Sequence, residues 1–240
     1  MESVGLIMFA NIYKNKKVLV TGHTGFKGTW LTMWLLKLGA NIVGISKDIP
    51  TSPSMFEELK LKDKIEHYQE DIRDLSKMTE IMAHEKPDFL FHLAAQAIVS
   101  TSYTNPMETI TSNVVGTANI LEALRESNHK CTVIIITSDK AYDNVEQVWG
   151  YKEDDKMGGK DIYSGSKGAA ELIIKSYYHS FFKSNKSNIK LAIGRAGNVI
   201  GGGDWANDRI VVDCMEAWSK RQSVEIRSPE ATRPWQHVLE

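Results

Sequence analysis

Cysteine is scarce in this chain: Cys131 and Cys214 are the only two, far apart and outside any metal-ligand spacing. That excludes a disulfide framework, argues against structural zinc and fits a reducing, cytoplasmic compartment. Long apolar runs are missing as well; none approaches the roughly 20 residues that span a bilayer, so no membrane span is expected. Neither sign of charge dominates, because 29 basic and 30 acidic residues leave a formal net charge of −1. A chain-wide basic field for nucleic acid is therefore excluded, and any anion must be held locally. Proline is sparse, with six residues, and no Pro/Ser linker cuts the first two hundred positions into separate domains. The opening "MESVGLIMFANIYKNKK" lacks the basic start and small-residue cleavage site of a signal peptide, so residues 1–13 read as a leader.

What is present is the composition of a folded domain: 240 residues, 42% hydrophobic and 25% charged, enough to bury a full core. Short β-branched runs alternate with longer helical patterns. Strands are expected at 17–21, 41–46, 65–69, 88–93, 132–137 and 190–195, and helices at 25–38, 76–86, 106–127, 162–183 and 211–220. Several strand segments are apolar without alternation, which indicates burial on both faces. The expected fold class is therefore α/β, a Rossmann-type doubly wound parallel sheet. Residues 14–195 read as its dinucleotide-binding domain and 196–240 as part of a substrate-binding region.

The stretch "VLVTGHTGFKGTWL" at 18–31 runs from an apolar strand through three glycines, Gly22, Gly25 and Gly28, into a helix. Glycines at such a junction permit a tight turn and let a pyrophosphate approach the backbone amides of the helix N-terminus. Thr24 and Phe26 belong to the same loop. The second strand ends in Ser46, Lys47 and Asp48. Asp48 suits the ribose hydroxyls of NAD, whereas Lys47 suits the 2′-phosphate of NADP, so the signal is mixed and leans towards NAD. "DIRD" at 71–74 puts Asp71 and Ile72 where an adenine can be flanked, although a capped, solvated turn accounts for it equally.

"YSGSK" sets Tyr163 and Lys167 four apart, on one face of a helix. An ammonium beside a phenol favours phenolate, so Tyr163 can take a proton from a sugar hydroxyl while hydride leaves the same carbon. "TSDK" at 137–140 ends the fifth strand, at the carboxyl edge where ligands of parallel sheets bind. Ser138 can hydrogen-bond the reacting hydroxyl; Asp139 and Lys140 add an acid and a base, the equipment for eliminating water beside a new ketone.

In order, "TGHTGFKG", "DIRD", "HLAAQ", "TSD" and "YSGSK" resemble the landmarks of the extended short-chain dehydrogenase/reductase superfamily. Within it, "GFKGTWL", "SPSMFE", "TSDKAYDN", "GRAGNVIGGGDWANDRI" and "RPWQHVLE" resemble the CDP-glucose 4,6-dehydratases, from about Lys14 to the last residue. The resemblance implies NAD as cofactor and oxidation of the glucose at C4, loss of water across C5 and C6, and return of hydride to C6, for deoxysugar and surface polysaccharide synthesis. It implies Tyr163 as the base at the 4-hydroxyl, Lys167 as its partner and ribose anchor, Ser138 as the relay and Asp139 as the acid for the 6-hydroxyl. Lys140 would remove the C5 proton or, alternatively, stabilise enolate charge. Ala94, Ala95 and Gln96 would lie beside the cofactor with Asn113, and Asn198, Arg209 and Arg233 would face the nucleotide sugar. His92 reads as structural. No metal is implied. A homodimer through the helices at 106–127 and 162–183 is implied too. Because the resembled family continues past the "RPWQHVLE" motif, the chain is expected to be a fragment or a truncated product. A nucleotide-sugar 4-epimerase or a dTDP-glucose-type dehydratase is the alternative enzyme, and a cofactor-binding remnant the non-enzyme one.

Overall fold

The computed structural model describes residues 8–226 and 228–240, so the first seven residues of the expected leader lie outside it. Six parallel strands form the central sheet: β1 (Lys17–Thr21), β2 (Asn41–Ile45), β3 (Glu66–Tyr68), β4 (Phe89–His92), β5 (Cys131–Ser138) and β6 (Ile189–Ala196). Their order is β3-β2-β1-β4-β5-β6, which reverses direction between β1 and β4. Ligands of such sheets bind at that switch point, beyond the carboxyl ends of the strands.

Helices cover both faces: α1 (Phe26–Lys37), α2 (Met55–Glu58), α3 (Leu75–Glu85), α4 (Val99–Thr104), α5 (Pro106–Ile110), α6 (Gly116–Ser127), α7 (Ile162–Tyr177) and α8 (Ile210–Ser219). Alternate side chains of a strand point to opposite faces, so one apolar strand feeds two cores. Leu19, Val43, Leu90, Val133 and Ile135 pack with Met78 and Met82 of α3, Ile120 and Leu124 of α6 and Ile174 of α7. On the reverse face Val18, Val20, Ile42 and Phe91 pack with Leu35 of α1. Each such fully buried aliphatic side chain contributes roughly 1.5–3 kcal/mol. This is the reason the strands lack polar alternation.

The expected boundaries hold to within one or two residues in the sheet. The helix expected at 106–127 is continuous but contains a π-helical turn at Thr111–Val115, and the one expected at 162–183 ends in a second such turn at Tyr178–Phe182. Asp161 caps α7 by accepting the Ser164 N–H at 2.9 Å, so Tyr163 falls in the first turn, beside the end of β5. A feature with no sequence signal is a two-stranded parallel sheet of β7 (Asn198–Ile200) and β8 (Trp235–His237), which brings the last residues back beside the glycine loop's helix. There the Trp30 indole donates to the Gly202 carbonyl at 2.9 Å.

Candidate active site

The loop after β1 turns at Gly22, whose φ of +74° is one that side chains rarely adopt. A Cβ there would also lie 2.7 Å from the Ala94 backbone nitrogen, so Gly22 is required by the crossing of two strand ends. Gly28 serves loop-to-helix packing, since its Cβ would meet the Gly22 carbonyl oxygen at 2.1 Å. Gly25 differs: a Cβ would find only that same oxygen, at 3.4 Å, and otherwise open cleft. Thr24 ties the loop to the second strand by donating to the Asp48 carbonyl at 2.7 Å. Beneath it, buried His23 sits 2.8 Å from His67 and 3.1 Å from Ser46 Oγ, and burial followed by charge repulsion from His67 lowers it to about 4.

These residues open onto a cleft of about 1600 Å³ along the carboxyl ends of the strands. All but one of the site residues expected from the sequence line it, including Asp48, Asp71, Ile72, Ala94, Ala95, Gln96, Asn198, Arg209 and Arg233. The exception is Asn113. Its amide lies buried behind the wall: Nδ2 donates to Ser166 Oγ at 2.9 Å and to the Gln96 carbonyl at 3.1 Å, and Oδ1 accepts the Gln96 N–H at 2.8 Å. With every polar atom taken, Asn113 braces the β4 loop against α7 rather than meeting a ligand. The Gln96 side chain is likewise spent on Ile98 and Thr109. His92 is structural as expected, held between Thr21 at 2.7 Å and Thr117 at 3.1 Å.

Ser138, Asp139 and Tyr163 face the cleft together at the end of β5. Ser138 Oγ donates to Asp139 Oδ1 at 3.0 Å and accepts the Lys140 N–H at 3.2 Å, and its hydroxyl pulls the Tyr163 phenol down against burial. Both Tyr163 and Lys167 are buried, the ammonium 5.8 Å from the phenol ring centroid. The expectation that Lys167 lowers the phenol's pKa needs correction. Burial raises Tyr163, and the groups that pull it back are Ser138 and Arg209. Lys167 itself is lowered to about 8, first by burial and then by the charge of Lys27.

Several residues escaped the sequence reading. Lys27, in the glycine loop, lies in the field of Asp139, Asp204 and Arg209, and burial is the largest cause of its lowered pKa. Arg209 Nε is 3.6 Å from Asp204 Oδ2 and without a hydrogen bond among the described residues. Glu171, one turn beyond Lys167, accepts from Thr137 Oγ1 at 2.6 Å and pairs with Arg195 at 2.6 Å. That buried pair fixes α7 to β5 and β6. A helical acid spaced four from Lys167 and facing the core was the available signal. Among the described residues no cluster of three or more His, Cys, Asp or Glu side chains could hold a metal, and no helix is long and apolar enough to cross a membrane.

The model of the GDP-mannose 4,6 dehydratase family matches residues 19–240. The chain is similar to the CDP-glucose 4,6-dehydratase of Salmonella typhimurium, with 49% identity over 233 residues, 96% of this chain and 65% of that protein. It is 29% identical to the CDP-paratose 2-epimerase of Salmonella typhi over 88% of this chain and 65% of the relative. The chain thus spans slightly under two thirds of the length of these curated relatives. Among solved structures it resembles MoeE5 in complex with UDP-glucose and NAD, with a TM-score of 0.74 and 25% identity over 93% of this chain and 68% of that one. It also shares the fold of DesIV, the dTDP-glucose 4,6-dehydratase of Streptomyces venezuelae with NAD and TYD bound, at a TM-score of 0.80 and 19% identity over 92% of this chain and 68% of that one.

Proposed function

From the membership of this chain in the GDP-mannose 4,6 dehydratase family, we propose that it serves as an NAD-dependent nucleotide-sugar 4,6-dehydratase whose substrate is CDP-glucose. The observation that carries the reading is the convergence of Tyr163, Ser138, Asp139 and Lys140 on one cleft, with Ser138 hydrogen-bonded to Asp139 and to the Lys140 N–H. The similarity to the Salmonella typhimurium dehydratase supports CDP-glucose as the substrate. The partner is then a small-molecule nucleotide sugar held in the cleft of about 1600 Å³. In this reading 14–195 form the dinucleotide half and 196–240 belong to the substrate half.

The residues present fit the cofactor. Open space over Gly25 admits a pyrophosphate to the amides at the start of α1, and more than half of the Asp48 side chain is exposed for ribose hydroxyls. Gly22, Thr24, Phe26, Asp71, Ile72, Ala94 and Ala95 would surround it, with Lys167 at the nicotinamide ribose. Bound there, NAD supplies a two-electron acceptor that takes hydride from C4 and returns it to C6.

This chain's side chains move the protons. As phenolate, the form that Ser138 and Arg209 favour against burial, Tyr163 accepts the proton of the 4-hydroxyl through the Ser138 relay as the C4–H electrons depart, leaving a ketone. The ketone acidifies C5. Lys140 takes the C5 proton while Asp139 protonates the 6-hydroxyl, the C6–O bond breaks and water leaves. Lys140 then returns its proton to C5, while the bound cofactor would give the hydride back at C6, and the proton held by Tyr163 resets Asp139 through Ser138, so the sum is loss of one water. Arg209 and Arg233 suit the pyrophosphate of the sugar nucleotide, and Asn198 its neighbourhood.

Incubation with NAD and CDP-glucose should yield a 4-keto-6-deoxy product, read by its ketone absorbance in base and by mass. Asp139→Asn keeps an acceptor for Ser138 but removes the acid, and should reduce product formation about 10²–10⁴-fold with an unchanged melting temperature. An epimerase would tolerate that substitution. Cofactor binding without turnover in the parent chain would instead mark a binding module. We further propose a homodimer through the two long helical segments, supported by the exposure of Met107, Val115, Leu172 and Phe181.

A further inference from the structure

At the adenosine end of the cleft, a lysine stands where a 2′-phosphate would be welcomed. Lys47 lies two residues past the end of β2, in the stretch whose chemistry separates NAD from NADP in these folds. A free cation there favours the phosphate. Lys47 is not free: its Nζ lies 2.6 Å from Glu108 Oε1 and 3.8 Å from Asp48 Oδ2. We infer that Glu108, contributed by α5 from sixty-one positions further along the chain, is a cofactor-selectivity residue that neutralises Lys47 and thereby closes the adenosine subsite to a 2′-phosphate. The inference rests on the dinucleotide reading proposed above and deepens it.

Glu108 is held for this task. The Asn105 side chain, at the start of α5, donates to Glu108 Oε2 at 3.2 Å and accepts the Glu108 N–H at 3.3 Å. One carboxylate oxygen is thus anchored to the helix cap and the other presented to Lys47. The other nearby cation is engaged too, since Arg73 grips Asp71 through Nε and Nη2. Lys47, Asp48, Asp71 and Glu108 line the cleft, and Glu108 feels the charges of Arg73 and Asp71 as well as that of Lys47. Three carboxylates therefore face two cations, both already bonded. A phosphate monoester carrying roughly −1.5 to −2 charges would meet a net negative neighbourhood. A 2′,3′-diol meets instead the exposed carboxylate of Asp48, which accepts from hydroxyls without a desolvated cation to unpair.

The Lys47–Glu108 pair is partly solvent-exposed, with side-chain exposures of 42% and 29%, so it contributes little to folding. Removing one partner should leave the structure intact and change only what the subsite prefers. Equilibrium titration of the parent chain, Glu108→Gln and the double variant Lys47→Met/Glu108→Gln with NAD and with NADP, read by tryptophan fluorescence or calorimetry, tests this without turnover. The parent should prefer NAD. Glu108→Gln should strengthen NADP binding about tenfold, the scale of one charge-assisted phosphate contact, leave NAD binding within about twofold, and lose the gain at high salt. In the double variant the gain should vanish. NAD binding with an unchanged NADP-to-NAD ratio in Glu108→Gln, or a gain that persists without Lys47, overturns the inference alone. A parent chain that binds neither nucleotide overturns the dinucleotide reading and this inference together.

Discussion

Lys167 carries its charge in a place that resists it. The ammonium is buried, burial and Lys27 lower it from 10.5 to about 8, and no carboxylate is among the causes that act on it. Below pH 8 both the folded and unfolded chains hold the proton and the folded state bears the whole penalty, on the order of 3 kcal/mol for such a shift. Between pH 8 and 10.5 the unfolded chain keeps a proton that the folded one has released, so stability rises with pH across that window. Lys167→Met should therefore be more stable than the parent at pH 7 in urea denaturation, with the gap closing as pH rises towards 10.5. A gap independent of pH would show that Lys167 is not titrating there. The residues around it divide by what the sequence could reveal. Tyr163 and Lys167 announce themselves by spacing. Asn113 does not: only the family resemblance points to it, and only the packing of α7 against the β4 loop shows its amide to be engaged.

At the scale of the element, the glycine loop assigns different duties to similar residues. Gly25 has a φ of −77°, open to any residue, and faces space; Gly28 faces the Gly22 carbonyl. Gly25→Ala should fold with a melting temperature near that of the parent but bind NAD at least about tenfold more weakly, because its methyl occupies the approach to the helix amides. Gly28→Ala should destabilise by about 1–3 kcal/mol or more through overpacking and lose binding as a consequence. Thermal melts beside NAD titrations separate the two; a Gly25→Ala chain that binds normally would remove the pyrophosphate from that position. The helix α7 is a parallel case. Tyr163 and Lys167 lie at one end, while its orientation depends on the buried Glu171–Arg195 pair farther along, a link between residues 24 apart that no periodicity encodes.

For the molecule as a whole, the doubly wound sheet accounts for its two cores, and the helices on the α6 and α7 side leave large apolar groups in solvent. Met107 is 62% exposed and Leu172 is 55% exposed. Isolated apolar residues are ordinary on surfaces, but paired exposed helices suit a self-complementary interface. Sedimentation should report a dimer for the parent chain and a monomer for Leu172→Glu/Met107→Glu, with the fold retained by circular dichroism; a parent monomer would refute the interface.

The sequence by itself determined the alternation of strand and helix, the glycine turn and the i, i+4 spacing of phenol and amine, because each is written within a few consecutive residues by period, backbone freedom or side-chain reach. Tertiary structure alone decided which groups are buried, that Ser138 and Arg209 rather than Lys167 temper the Tyr163 phenol, that residues 198–200 pair with 235–237, and that Glu108 answers Lys47. Those outcomes depend on distances of a few ångströms between segments tens of residues apart. Electrostatic strength and desolvation follow distance and burial in space, neither of which is a property of neighbouring letters.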